Sequence, residues 1–356
     1  MVIDFTSSLY LGLRHASDSL RPWTQLTKGA PAVMGESDLA RGVESRLASL
    51  QGCEQSVLMR STLHSFWDVV GQLLNTAQMF IVDEHAYPIA RWALTQASAR
   101  GAPVKEFAHL DPQRASEVIR RAEGYKPVVV TDGYCPGCGR PAPLKRYERA
   151  AAKSGGTVVV DDTQALGILG SGGSRAGTWG RGGGGTLQRL GATQPGVVVV
   201  ASLAKAFGAP LAGVSGPKSF IASLRQSRTR VHGSPPTAAD LRAADRALDI
   251  NAARGNALRS RLMRSVVRLR SGLRDLGFSL SRGVFPLISA THSEISVEEL
   301  HNILSDRGVA TVLNQTCRGP ALSFLVTTGH RTEQIDMTVC LIGSVLEAGI
   351  NGLVRY

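Results

Sequence analysis

Short apolar runs recur along this chain at intervals filled by helical patterns, and that rhythm restricts the fold more than any other feature. Ser56-Val57-Leu58-Met59, Met79-Phe80-Ile81-Val82, Pro127 to Thr131, Thr157 to Val160 and Val197 to Val200 are each followed by a turn-like segment and then a helical spacing of apolar residues. Continuous, valine-rich runs of this length suit strands buried on both faces, as in a mostly parallel sheet flanked by helices. In an α/β sheet of that kind, functional groups gather at the C-terminal ends of the strands. A helical spacing from Ser37 to Leu50 precedes the alternation, and residues 1–35 read as an irregular lead with one extended piece, Val2 to Phe5. A long helical pattern from Thr237 to about Leu276 leads into strand-like pieces at Val284 to Ile288 and Leu322 to Val326. Ser296-Val297-Glu298-Glu299 between them reads as a capping box opening a helix. The expected organisation is an N-terminal segment over 1–35, a large domain over 36–245, and a connecting helix with a smaller α+β domain over 246–356.

With 356 residues, 43% of them hydrophobic, the chain can bury a substantial core. No apolar stretch approaches the ~18 residues of a membrane span. The N-terminus lacks the basic and apolar regions of a signal peptide, and five scattered cysteines argue against a disulfide framework. A cytoplasmic location is therefore expected. The net charge of +12 suits phosphorylated ligands or an acidic partner. With 5% aromatics and no nucleic-acid motif, base stacking has little support, and the arginines of Arg259 to Arg274 read as a solvated helix face.

Two strand ends carry chemistry. Val197 to Val200 leads through Ala201-Ser202-Leu203-Ala204 to Lys205, a lysine among small and apolar neighbours. Burial lowers the pKa of such an amine, and the neutral form reacts with aldehydes. Thr157 to Val160 delivers Asp161 in the same way. A lysine for the aldehyde and an acid for the pyridine nitrogen are the two groups a pyridoxal-phosphate site requires. The glycine-rich stretch from Gly167 to Gly185 has loop composition but no G-x-x-x-x-G-K-[ST], so it is not a P-loop.

These residues fall within motifs that resemble the α-oxoamine synthases, a family of fold-type I pyridoxal-phosphate enzymes. Asp4-Phe5-Thr6-Ser7-Ser8-Leu9-Tyr10-Leu11-Gly12-Leu13 is similar to the family's "DF-x-SNDYLGL", and Asp83-Glu84-His85-Ala86-Tyr87 to "D-x-x-HAS". Thr131-Asp132-Gly133 through Ala142-Pro143-Leu144 resembles "TDGVFSMDGDIAPL". Asp161-Asp162-Thr163-Gln164-Ala165-Leu166-Gly167 resembles "DEAHSxG", and Ser202 to Gly208 resembles "T-x-SKAxG". The motifs run nearly end to end in the family's order.

The resemblance implies a role for each matching position. Lys205 would form the Schiff base with pyridoxal 5'-phosphate, Asp161 would pair with the pyridinium nitrogen, and His85, which alone reads as a structural histidine, would stack on the ring. Ser61, Thr62 and Leu63 would cradle the phosphate at a helix start. Ser202 and Gln164 would lie near the cofactor, and Ser234 would reach the phosphate of a neighbouring subunit, which implies a homodimer with shared sites. The implied activity is a transferase reaction joining an amino acid or amine to an acyl thioester, on coenzyme A or an acyl-carrier protein, by way of a Cα carbanion.

Departures from the pattern concentrate at the substrate. The family's asparagine is Ser8, its "DEAH" histidine is Gln164, the serine of "FSMDG" is Pro136, and the arginine that holds the amino-acid carboxylate falls on Ser323. A short hydroxyl replaces a charged planar fork there, and Arg318 or Arg331 is a candidate substitute. An aminotransferase, lyase or other carbon–carbon bond-forming enzyme of specialised metabolism stays open as an alternative, as does a catalytically silent partner subunit. Ser202-Leu203-Ala204-Lys205 also satisfies S-x-x-K, but its companion elements are missing. Cys135-Pro136-Gly137-Cys138 suits a redox pair or half of a zinc site. No second pair has zinc-finger spacing, although Cys317 and histidines elsewhere can approach in space, and no metal is assigned.

Overall fold

The computed structural model describes residues 2–34, 36–74, 78–122, 124–172, 179–191 and 196–353; positions 173–178 of the glycine-rich stretch lie outside the described residues. The chain divides into two compact units.

The larger unit comprises Leu13–Tyr134 and Pro141–Gly255 and is built on seven strands. They are β1 (Gln55–Met59), β2 (Gln78–Asp83), β3 (Val104–Phe107), β4 (Lys126–Asp132), β5 (Thr157–Asp161), β6 (Val197–Ser202) and β7 (Ala212–Gly216). Their order across the sheet is β1-β7-β6-β5-β4-β2-β3. Only β7 runs antiparallel to its neighbours; the other pairings are parallel. Valine explains the sheet: Val128, Val129, Val158 to Val160 and Val200 are fully buried, so both faces of the central strands pack against apolar neighbours. Burying each such side chain contributes roughly 1.5–3 kcal/mol as an upper estimate. Five helices follow the early strands or precede them: α1 (Asp38–Gln51), α2 (Thr62–Leu73), α3 (Pro88–Ala99), α4 (Pro112–Arg120) and α5 (Leu144–Ala152). Phe66 of α2 and Ala90, Ala93 and Ala97 of α3 enter one core cluster with Phe80 and Val128.

The smaller unit comprises Met1–Gly12, Cys135–Arg140 and Asn256–Tyr356. Its sheet has strands β8 (Ser279–Leu280), β9 (Leu287–Thr291), β10 (Val312–Thr316) and β11 (Gly319–Leu325), in the antiparallel order β8-β9-β11-β10. Ser296 Oγ accepts a hydrogen bond from Glu299 N–H at 3.0 Å and opens the helix Val297–Asp306, as the capping sequence predicts.

This division differs from the expected one. The chain changes units at Gly255, inside the helix Ala238–Asp275, and residues 1–12 are part of the smaller unit. Ile3–Asp4 pairs in parallel with Val309–Ala310, Leu325 N–H donates to Phe5 O at 2.9 Å, and Thr328 N–H donates to Tyr10 O at 2.9 Å. Phe5 and Tyr10 are fully buried, and the Phe5 ring stacks on His330 at 4.3 Å. Those buried aromatics and backbone pairings hold the lead segment to residues from the other end of the sequence. Among the described residues, no helix is long and apolar enough to cross a membrane.

Candidate active site

Parallel strands end together, so the C-terminal edge of the larger sheet collects what each strand delivers. Asp83 ends β2, Asp132 ends β4, Asp161 ends β5, and Lys205 follows β6 by three residues. Asp132 and Asp161 are register partners across two neighbouring strands. Burial lowers the Lys205 pKa, and the charges of Asp161 and then Asp132 oppose that shift. Burial raises the Asp161 carboxyl, against the opposing effects of two hydrogen bonds from Thr163 and the Lys205 charge. Asp132 is raised further, by burial first and by the Asp161 charge next. The amine is thus biased toward its neutral, nucleophilic form while keeping carboxylate partners within electrostatic reach.

Thr163 orders this corner. Its N–H donates to Asp161 Oδ1 at 3.0 Å, and its Oγ1 accepts from Ser202 N–H at 3.0 Å. Ser202 Oγ in turn accepts from Ala204 N–H at 3.1 Å, capping the turn that carries Lys205. Gly208 closes that turn at φ +64, and a Cβ there would stand 2.0 Å from Leu13 O. Gln164 is half-buried one residue further on from Thr163.

His85 follows β2 with its ring exposed and its backbone N–H donating to Asp83 Oδ1 at 2.9 Å. His109 meets the His85 ring edge-on at 5.2 Å, and its Nδ1 lies 2.7 Å from the same Asp83 oxygen. Burial alone would raise Asp83, but hydrogen bonds from His109, Leu110 N–H and His85 N–H hold its carboxyl below the usual range. Asp83 therefore sits as an ionised anchor under the histidine turn.

Ser61 is the N-cap of α2, its Oγ accepting from His64 N–H at 3.4 Å and lying 2.9 Å from His64 Nδ1. Thr62 and Leu63 open the helix, where main-chain N–H groups lack intrahelical partners and favour an anion. Ser234 lines a cavity with Arg60, His64, Asp68 and Arg230, a set that does not include Lys205 or Asp161.

The three expected substrate residues belong to the smaller unit. Ser8 is half-buried in the lead segment, its carbonyl accepting from Tyr10 N–H at 2.7 Å. Arg318 is exposed and donates to Leu280 O at 3.4 Å. Ser323 differs most from expectation. It is fully buried on β11, donating to Asn314 Oδ1 at 2.7 Å and lying 3.1 Å from Ser289 Oγ. Its hydroxyl serves hydrogen bonds within the sheet instead of standing open to a ligand.

Four residues of this site carry no role in the sequence analysis: Thr163, Asp132, Asp83 and His109. The first three do lie inside the quoted motifs, beside the residues singled out. Asp162, beside Asp161, is buried, accepts from Thr186 N–H at 2.9 Å, and is pushed up to about 7 mainly by burial.

The donor set fits pyridoxal phosphate. It offers a depressed-pKa amine for the aldehyde, a buried carboxylate for the ring nitrogen, an exposed imidazole for the ring face and a helix N-terminus for the phosphate.

Comparison with known proteins agrees. The pattern of the family "Aminotransferase class I and II" matches residues 1–340. The 8-amino-7-oxononanoate synthase of Sodalis glossinidius (strain morsitans) is 27% identical over 355 residues, covering 94% of this chain and 85% of that protein. That of Halorhodospira halophila is 30% identical over 293 residues, covering 79% and 68%. Among solved structures, the Sphingomonas wittichii serine palmitoyltransferase has a TM-score of 0.84 at 18% identity, covering 98% of this chain and 88% of that one. The 8-amino-7-oxononanoate synthase of Francisella tularensis has a TM-score of 0.75 at 17% identity, with 98% of each chain covered. At these identities the structural likeness speaks to fold.

Proposed function

We infer from this chain, which belongs to the aminotransferase class I and II family and is a pyridoxal-phosphate-dependent transferase of the α-oxoamine synthase type, that it condenses an amino acid with an acyl thioester on coenzyme A or an acyl-carrier protein. The observation that carries the reading is the pairing of Lys205, biased toward its neutral form, with the buried Asp161 one strand away.

Bound at this edge, pyridoxal phosphate supplies an aldehyde and an electron-withdrawing ring that acidifies the amino-acid Cα. Lys205 Nζ, in its neutral form, takes the Cα proton. Asp161 holds a proton on the ring nitrogen and so keeps the ring cationic. His85 would hold one face of the bound ring, and the first N–H groups of α2 would hold the phosphate. Ser202 and Thr163 keep the lysine turn and the Asp161 carboxylate in mutual register. In the overall reaction Cα bonds to the acyl carbonyl carbon and a thiol leaves, with carbon dioxide lost where the amino-acid carboxylate departs. The net charge of +12 supports an anionic acyl carrier. Ser234, in the segment that resembles the family's subunit-bridging stretch, supports a homodimer with shared sites.

Replacement of the carboxylate arginine by the buried Ser323 supports a different grip on the amine substrate. It is also the observation that favours the second reading, an aminotransferase or lyase. The deciding experiment incubates the cofactor-loaded protein with single amino acids and either acyl-CoA or acyl-carrier protein, and measures free thiol. Thiol release that needs an amino acid and is lost in Lys205→Ala supports condensation. Amino transfer to an oxo acid without thiol release moves the chain to the second reading.

A further inference from the structure

The C-x-x-C segment is not used by the mechanism proposed for Lys205, and the fold of the smaller unit brings a third sulfur to it. Cys135 and Cys317 Sγ lie 3.5 Å apart, and the sulfurs of Cys135, Cys138 and Cys317 are all within 4.8 Å of one another. Cys135 and Cys138 are buried, Cys317 is half-buried, and all three are free thiols.

Local structure explains the convergence. Gly139 N–H donates to Cys135 O at 2.8 Å and closes a tight turn that turns both thiols of the pair to one side. Gly139 adopts φ +69, and a Cβ there would lie 1.7 Å from Arg282 O, so only glycine permits the close approach. On the opposing segment, Arg318 N–H donates to Thr316 Oγ1 at 3.1 Å and Thr316 Oγ1 donates to Gly319 O at 2.8 Å, which fixes the turn carrying Cys317. The two turns touch: a Cβ on Gly137 would meet Thr316 Cβ at 2.9 Å and Cys317 Sγ at 3.2 Å. Arg140 hydrogen-bonds the Cys138 sulfur and brings its positive charge close to all three.

Tetrahedral zinc holds thiolates at ~2.3 Å, which separates neighbouring sulfurs by roughly 3.8 Å. The observed spacing brackets that figure. A disulfide, at ~2.05 Å between sulfurs, would join two of the three and leave the other unused.

We propose that Cys135, Cys138 and Cys317 bind one zinc ion as thiolates and fasten the 135–140 loop to the Thr316–Gly319 turn. Three S–H protons pass to solvent as three Zn–S bonds form. The complex carries a net charge of −1, which Arg140 offsets, and one tetrahedral position remains for a water molecule or another donor. The site is structural.

The test titrates the reduced full-length protein with zinc, and with cobalt(II) as a spectroscopic probe. One zinc per chain should survive desalting and raise Tm, in Lys205→Ala as in the parent. Cobalt should give the sulfur-to-metal charge-transfer and strong d–d absorption of a tetrahedral thiolate site. Cys135→Ser, Cys138→Ser and Cys317→Ser should each weaken zinc binding by more than about tenfold, since even supporting groups around a metal contribute 10–100-fold. Cys340→Ser, on the exposed face of the last helix, should leave it unchanged. Absence of the cobalt charge-transfer band in the parent protein overturns the proposal without recourse to any variant. So does zinc affinity that ignores all three serine variants, or a Cys135–Cys317 disulfide in protein isolated without reductant.

Discussion

Thr163 Oγ1 accepts the Ser202 amide hydrogen at 3.0 Å, joining the turn that follows Asp161 to the turn that precedes Lys205. The same residue donates its own N–H to Asp161 Oδ1. One residue, through its backbone N–H and its hydroxyl, thus sets the relative positions of the acid and the amine from two adjacent strands.

Thr163→Val keeps the volume and removes the hydroxyl. Ser202 N–H then lacks its acceptor and Asp161 loses a donor, at a cost of about 1–3 kcal/mol in stability. The Asp161 carboxyl should rise further, because the Thr163 side-chain hydrogen bond lowers it while the backbone one stays. The expected kinetic signature is a fall in kcat with a smaller change in KM, and recovery in Thr163→Ser. Equal kinetics in the valine and serine variants would remove Thr163 from its positioning role.

Lys205 predicts a pH dependence. Its pKa in the folded protein lies below the ordinary lysine value, so the folded state holds fewer protons than the unfolded chain between those two values. Its cost to stability is complete below the depressed pKa and disappears as pH rises toward the ordinary one. Capture of pyridoxal phosphate, which needs the neutral amine, should accelerate with pH and reach its midpoint below ~10.4, the unperturbed value. Asp161→Asn removes a charge that raises the lysine, so the midpoint should move lower still. Stopped-flow absorbance of cofactor capture against pH reads both effects. A midpoint at the ordinary lysine value would contradict the environment described for Lys205.

Ser323→Arg would restore the residue type of the resembled family, yet the surroundings of Ser323 argue for damage and not rescue. The position is fully buried, and the groups its hydroxyl meets, Asn314 Oδ1 and Ser289 Oγ, carry no charge. An unpaired buried guanidinium costs on the order of 3–5 kcal/mol. Calorimetry should show a clear loss of Tm in Ser323→Arg and a small one in Ser323→Ala. An arginine variant with parental Tm and improved amino-acid binding would return Ser323 to the substrate-binding set.

The valine-rich strands were legible because a run such as Val197 to Val200 admits few other uses, and each begins within a residue or two of its expected start. β3 and β7 were not. Val104-Lys105-Glu106-Phe107 alternates too briefly at a sheet edge, and Ala212-Gly213-Val214-Ser215-Gly216 has the composition of a loop; its strand character comes from antiparallel partners on both sides. Val284 to Ile288 reads as a strand, but β9 starts only at Leu287, after Gly283 and Pro286. Lys205 and Asp161 could be located from their strands alone. The role of Thr163 depends on which strands are neighbours, and strand order is not local information. The meeting of Cys317 with Cys135 is hidden for the same reason, since the two are remote in sequence.

The pairing of Ile3–Asp4 with Val309–Ala310 has a consequence for biosynthesis. Ile3 and Asp4 cannot take their final positions until Ala310 has been made, whereas the larger unit is complete at Gly255. Phe5 and Tyr10 remain exposed in the interval, on a segment waiting for a distant partner. A bulky group attached just ahead of Ile3 would therefore burden the smaller unit, not the larger.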